Sequence, residues 1–196
     1  MTWDVSTAGA AWEWAQRLWM LLLLVWAVLW NGAKQAKRRE DWSQRAVHLI
    51  LLIPGAALLF GPTLPWQWLD ERVLPDAPMV WETGLALTAL GVGVAIWARL
   101  ILGGNWSGTV TLKKDHELVC SGPYRWIRHP IYTGIVVAMV GSGLIRDHRK
   151  GWIGVAIVLA AFYIKARREE RFLSEEFGDS YREHSRRTGM FLPRLI

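Results

Sequence analysis

The sequence predicts an all-α, polytopic integral membrane protein with about five transmembrane helices. Three observations carry that expectation. Hydrophobic residues make up 52% of the 196-residue chain although 20% of it is charged, because apolar runs alternate with short charged segments. Trp occurs 14 times against 5 Phe and 4 Tyr, and many copies flank the apolar runs, where the indole ring lies in lipid and its N–H reaches headgroups. Lys and Arg crowd into alternate connecting segments, as expected when they set topology.

A membrane helix needs about 20 mostly apolar residues, because the hydrocarbon core is about 30 Å thick and each helical residue rises about 1.5 Å. The first predicted span covers about residues 14–32, around Met20-Leu21-Leu22-Leu23-Leu24-Val25-Trp26, and the basic turn Lys34, Lys37, Arg38 and Arg39 stops it. The second covers about 46–64 and is expected to be broken at Pro54-Gly55 and Gly61-Pro62, since Pro removes a backbone hydrogen bond. A loop with Trp66, Trp68, Asp70, Glu71 and Asp76 follows. The third span, about 80–102, carries Gly84, Gly91 and Gly93, small residues that let helix backbones approach closely in lipid. Residues 103–128 are too polar to cross. Two shorter apolar runs follow, 130–145 and 151–163, at 16 and 13 residues. They read as a helical hairpin whose second arm continues into a charged, partly inward-facing helix.

Charge sets the orientation. The 34–45 segment has five Lys/Arg, the 65–79 loop only Arg72, the 103–129 segment four, and the tail after Tyr163 eight. Five crossings with the N-terminus outside and the C-terminus cytoplasmic satisfy the positive-inside rule. One turn conflicts with it: Arg146, Arg149 and Lys150 would face outside. The net charge of +6 sits beside apolar runs, which points to anionic headgroups rather than nucleic acid. A single Cys120 excludes an intramolecular disulfide, and no Cys/His spacing suggests a metal site. Asp4 and Glu13, with no basic flank, do not read as a cleavable signal peptide.

The residues that carry chemistry lie in two blocks. The first is His116-Glu117-Leu118-Val119-Cys120-Ser121-Gly122-Pro123-Tyr124, continued by Arg128-His129-Pro130-Ile131-Tyr132. The second is Glu169-Glu170, followed by Phe177-Gly178 and Tyr181. If the last two apolar runs form a hairpin, both blocks meet at one cytoplasmic face. Ionisable residues at that depth are costly unless paired, so they mark a structural network or a functional site. Arg128 facing Glu169 or Glu170 is the natural ion pair. The alternative for Arg128 and His129 is a helix cap anchored to headgroups.

The ordered set His-x-Leu-Val-x-x-Gly-Pro-Tyr, Arg-His-Pro-x-Tyr and Glu-Glu resembles the isoprenylcysteine carboxyl methyltransferase family, whose relatives include phospholipid N-methyltransferases. Gly104-Asn105-Trp106-Ser107-Gly108 is similar to bacterial members. The resemblance runs from residue 103 onward and divides a single membrane domain, 1–196, into three membrane helices (1–102) and a catalytic module (103–196). It implies a C-terminal cytoplasmic pocket for S-adenosylmethionine, contacted by His116, Glu117, Leu118, Val119, Tyr124, His129, Pro130, Ile131, Tyr132 and Glu169. It implies a catalytic group of Arg128, His129, Glu169 and Glu170, a lipophilic methyl acceptor, and location in a bacterial inner membrane. Lys165 stands where the family often has a substrate-contacting Arg, with Arg167 close behind; a point charge in place of a planar fork loosens carboxylate recognition. A second substrate contact, often Gln in eukaryotic members, falls near Thr109.

A carboxylate acceptor needs no general base, whereas an amine or thiol does unless it enters deprotonated. With no base visible beyond His129 and the two Glu, carboxyl O-methylation is the favoured expectation. Phospholipid N-methylation is the alternative. A sterol-reductase-like enzyme using NADPH is a third reading from a different class.

Overall fold

The computed structural model describes residues 7–32, 36–39, 42–106, 111–113 and 117–194, with 31–32, 36–39, 43–45 and 111–113 described by backbone alone. Five helices dominate it: α1 (Ala8–Val28), α2 (Trp42–Phe60), α3 (Pro78–Leu102), α4 (Pro130–Arg146) and α5 (Arg149–Arg187). Two short strands, β1 (Ala36–Arg39) and β2 (Thr111–Lys113), pair antiparallel.

Each helix follows an apolar run found in the sequence, with shifted ends. α1 starts about six residues earlier than expected, because Thr7 Oγ1 accepts from the Ala10 amide at 3.1 Å and caps it there. Its first turns are anchored where Ala11 and Ala15 pack against Trp81 and Ile145. α2 runs straight through Pro54 and stops at Phe60, ahead of Gly61-Pro62, so only the second expected break ends the helix. The lost amide bond at Pro54 is tolerated in a helix covered by a neighbour. Gly55 faces α5, where an added Cβ would lie 2.8 Å from Val158 and 3.0 Å from the Gly154 carbonyl. α5 is one 39-residue element, interrupted only at Gly178, whose φ of 52° ends regular geometry before the last turns.

α3 and α4 are antiparallel and nearly in backbone contact. A Cβ on Gly91 would meet Gly134 O and Ala138 N at 2.4 Å, and one on Gly141 would meet Gly84 O at 2.4 Å. Thus Gly84 faces Gly141 and Gly91 faces Gly134, the small-residue packing expected of helices in lipid. The core continues from this pair to α5 through Leu59, Met139, Val155, Val158 and Phe162.

Helix ends alternate between two faces. On one face β1 pairs with β2, and Arg99 Nη2 donates to Leu29 O at 2.7 Å, so the connections after α1 and α3 lie together. On the other face the loop after α2 meets the α4–α5 turn, with a bridge between Arg72 and His148. That contact gives the basic turn acidic partners. Lys150 pairs with Asp70 at 2.5 Å and donates to Pro62 O at 2.6 Å, while Arg149 pairs with Glu71 at 2.9 Å. The fully buried Asp147, in the left-handed region at φ 44°, accepts from the Val73 and Leu74 amides at 3.2 and 2.7 Å. Two of the three basic side chains are thus neutralised by acids of the loop, and Arg146 lies over the Trp12 ring.

Among the described residues one helical stretch, Pro78–Asn105 with mean hydropathy 2.0, is long and apolar enough to cross a membrane alone. The 46–60 part of α2 and all of α4 are apolar but shorter. The outer surface is greasy beyond α3: Met20 and Leu23 of α1 are 68% and 67% exposed, and Ile50 and Ile53 of α2 are 67% and 63%. Apolar side chains turned outward at this density suit lipid rather than water.

Candidate functional site

Pro130 opens α4 at a position where a missing amide costs nothing, and it places His129 at the N-cap. The C-terminal segment folds back alongside. Arg128 and His129 amides donate to Gly189 O and Met190 O at 2.9 and 3.1 Å, and Thr133 Oγ1 donates to Phe191 O at 2.8 Å. α5 supplies the opposing wall: Phe162, Lys165 and Glu169 recur at helical spacing along one stripe.

Between these walls the charged groups interlock. Arg128 Nε donates to Glu170 Oε1 at 2.6 Å, and its Nη1 donates to Ser185 O and Thr188 O near the end of α5. His129 lies between the carboxylates, with Nδ1 3.4 Å from Glu169 Oε2 and Nε2 3.5 Å from Glu170 Oε1. Tyr132 donates to Glu169 Oε1 at 2.6 Å. The Tyr132 ring stacks on His129 at 5.5 Å and on Phe162 at 4.7 Å, and Lys165 Nζ lies 5.4 Å from its centroid.

Burial alone would favour a neutral His129, but the hydrogen bonds and charge of Glu169 and Glu170 outweigh it and raise its pKa. The same contest holds the two glutamates below the usual range. Burial opposes their ionisation, while His129, Lys165 and Tyr132 act on Glu169, and His129 and Arg128 act on Glu170. The site is therefore a network of charged groups that stabilise one another.

Arg128, His129, Tyr132, Lys165, Glu169 and Glu170 come together as one cluster. Tyr124 and Ile131 sit next to it in an apolar group with Ala98 and Trp106, against which Val119 and Tyr132 also pack. Tyr124 donates to Ala98 O at 3.4 Å. Pro130 is buried, Leu118 is half-buried, and Glu117 is exposed; among the described residues Glu117 and Leu118 belong to neither group. His116 and Thr109 lie outside the described residues. Lys165 is 7% exposed, so its ammonium is held inside the fold and does not snorkel to headgroups.

A cavity of about 530 Å³ adjoins the cluster, lined by Arg128, Arg167, Glu170, Arg171, Ser174, Glu175, Tyr181 and Ser185. Two buried polar atoms here lack hydrogen-bond partners among the described residues: Tyr181 Oη, which borders the cavity, and His129 Nε2 behind it, whose 3.5 Å approach to Glu170 is an ionic contact without hydrogen-bond geometry. Carboxylates, guanidinium groups and orphaned donors beside a cavity this size suit a polar, zwitterionic cofactor. Sequence reasoning missed one part of the site: the 188–191 return carries no motif, because it acts through backbone carbonyls.

Known proteins resemble the chain at this site. Residues 84–175 match the model of the isoprenylcysteine carboxyl methyltransferase (ICMT) family. A cobalt-zinc-cadmium resistance protein, CzcN, of Cupriavidus metallidurans is 31% identical over 71% of the chain and 58% of that relative. Methanethiol S-methyltransferase 1 of Bradyrhizobium diazoefficiens is 25% identical over 97% of the chain and 69% of its own length. Among solved structures, the eukaryotic intramembrane Ras methyltransferase ICMT superposes with a TM-score of 0.54 at 26% identity, over 79% of this chain and 54% of that one. The chain thus spans little more than half the length of two of these proteins. The shared segment runs from α3 into α5 and contains the whole interlocked cluster of Arg128, His129, Tyr132, Lys165, Glu169 and Glu170. Over that segment, this membrane protein is similar to the isoprenylcysteine carboxyl methyltransferase family.

Proposed function

We propose that the chain is an S-adenosylmethionine-dependent methyltransferase acting on a lipophilic acceptor at the membrane. The observation that carries this is the buried charge cluster at the mouth of the α4–α5 hairpin, beside a cavity with orphaned polar atoms. S-adenosylmethionine, when bound, supplies an electrophilic methyl carbon on a sulfonium sulfur, open to in-line displacement. The protein's part is alignment and exclusion of water. Glu169, with Tyr132 and His129 fixing its carboxylate, offers acceptor oxygens for ribose hydroxyls or an ammonium. Arg128 holds Glu170 and the 185–188 end of α5, which closes the cavity wall. Tyr124, Ile131 and Val119 supply the apolar surface suited to an adenine ring.

The acceptor's tail would enter from lipid, with the cofactor arriving from the cytoplasm. We place the chain in a bacterial inner membrane as a single domain with five crossings, N-terminus outside and C-terminus cytoplasmic. The pairing of β1 with β2 on the face of the hairpin mouth supports that arrangement. Accessibility labelling at residues 38 and 190 on opposite sides of the membrane would refute it. A carboxylate acceptor, as on an isoprenylcysteine-like substrate, needs no general base. The similarity to a protein named methanethiol S-methyltransferase favours a thiol as the second reading.

Thermal-shift measurements in detergent with S-adenosylhomocysteine, sinefungin and NADPH test the proposal. Stabilisation by the first two and not the third is expected. Stabilisation by NADPH alone would instead indicate a reductase.

A further inference from the structure

His129 is flanked by Glu169 at 3.4 Å and Glu170 at 3.5 Å, whose charges favour its protonated form over a free base. The structure contains another imidazole near the same row of rings. His48 of α2 is 7% exposed, and an ionisable group at the edge of a membrane span is costly unless it is used. Its Nδ1 lies 3.3 Å from Ala161 O. A carbonyl oxygen only accepts, so Nδ1 carries the hydrogen, and Nε2 of the neutral ring keeps its lone pair. Among the described residues Nε2 has no hydrogen-bond partner.

The His48 ring packs on Phe162 at 5.9 Å. Phe162 stacks on Tyr132, and Tyr132 stacks on His129, so one aromatic row runs from His48 to the charged cluster. On α5, Ala161 lies four residues before Lys165 and eight before Glu169, about 6 and 12 Å along the axis. The charged groups facing His48 are Lys165, Arg168 and Glu169 of α5. Lys165, the closest of these along α5 to Ala161, disfavours an ammonium acceptor and favours an anionic nucleophile.

We propose that His48 is the general base of the reaction and that the acceptor is an apolar thiol reaching it between α2 and α5. This rests on the methyltransferase reading above. His48 Nε2 takes the thiol proton as the sulfur forms its bond to the methyl carbon. The sulfonium C–S bond breaks with its electron pair left on the cofactor sulfur, and the products are a methyl thioether and S-adenosylhomocysteine. The imidazolium then returns its proton to water at the cytoplasmic face.

Two isosteric variants separate this role from a structural one. In His48→Asn the side-chain amide can still donate to Ala161 O but nothing replaces Nε2; in His48→Gln the amide sits near Nε2 and that bond is lost. Both proteins, with the wild type, are assayed in nanodiscs for methyl transfer from labelled S-adenosylmethionine to dodecanethiol and to dodecanoate. S-adenosylhomocysteine affinity, measured by calorimetry, checks folding. Expected are losses of about 100- to 10,000-fold in thiol transfer for both variants, the range for removing a general base. Cofactor-product affinity should be unchanged, and the acidic limb of the kcat/KM profile should disappear. Dodecanethiol affinity for the S-adenosylhomocysteine-loaded protein should fall about three- to tenfold in His48→Asn, as for a lost hydrogen bond, and less in His48→Gln, whose amide oxygen can still accept from the thiol. An Asn variant as active as wild type would overturn the proposal and leave His48 a packing residue. Wild type that methylates dodecanoate but not dodecanethiol would overturn it while the methyltransferase reading stands. Wild type that binds no S-adenosylhomocysteine would overturn both.

Discussion

Replacing Arg128 with Met tests whether the charge cluster also holds the C-terminal end of the fold. Arg128 and Glu170 are only 13% and 14% exposed, so the pair is largely removed from water. Breaking a buried ion pair by deleting one partner costs about 3–5 kcal/mol, because the other charge is stranded. Here Glu170 keeps His129 Nε2 at 3.5 Å and borders a cavity that admits water, which places the expected loss near the lower end, about 3 kcal/mol. Arg128→Lys keeps the charge but not the fork that spans Glu170, Ser185 O and Thr188 O; losing those carbonyl bonds should cost about 1–2 kcal/mol. SDS titration of the solubilised protein, followed by Trp fluorescence, measures both. Proteolysis within 186–194 should accelerate in step, because Arg128 pins that end. The Met penalty should shrink as pH falls below about 4.5, where an unpaired Glu170 takes up a proton. A Met variant within about 0.5 kcal/mol of wild type, the range of an inconsequential surface change, would refute this account.

Glu169→Ala should weaken S-adenosylhomocysteine binding by about 1.5–3 kcal/mol in calorimetry, the worth of a hydrogen bond to a charged group; unchanged affinity in a folded protein would remove Glu169 from the pocket. Asp147→Ala should destabilise by about 3 kcal/mol, since two amides lose their acceptor and Ala disfavours positive φ. Asp147→Asn, which tolerates that backbone and keeps one oxygen, should lose about half as much in the same titration. Gly91→Leu should prevent α3 and α4 from closing, seen as loss of the folded fraction in size-exclusion chromatography, because even a Cβ there would lie 2.4 Å from opposing backbone. Stability should peak between about pH 4.5 and 6.5. The lowered glutamates contribute above 4.5 and lose their contribution as pH falls through their folded values. The raised His129 contributes fully below 6.5 and loses its contribution as pH rises through its folded value.

The parts of the fold that hydrophobic periodicity governs were legible in the sequence. All five helices lie where apolar runs predict them, and Arg128 pairs with Glu170, one of the two partners its position suggested. What was not legible depends on contacts between distant segments. The early start of α1 comes from a single hydroxyl at Thr7 and from packing on Trp81. The basic 146–150 turn looked wrong for an outer loop because its partners, Asp70 and Glu71, lie almost 80 residues earlier. His48 drew no notice, since a lone His in an apolar run carries no spacing signal; only the Ala161 carbonyl and the Phe162 ring opposite give it meaning. The return at 188–191 works through carbonyls, which every residue has.

The glycine contacts have a mechanical consequence. Where Gly84 meets Gly141 and Gly91 meets Gly134, no side chains intervene, and an interface without rotamers has no alternative states to slide into. α3 and α4 therefore move as one stiff plank. α2 and α5 are clamped in the same way where Gly55 meets Gly154. Between the two planks the filling is different: Met139, Tyr132, Phe162 and their neighbours are large side chains with several torsions each. Compliance is confined to that filling, and it is the filling that borders His129, Glu169 and Lys165. Bending is thus kept beside the charged cluster, and stiffness at the glycine seams.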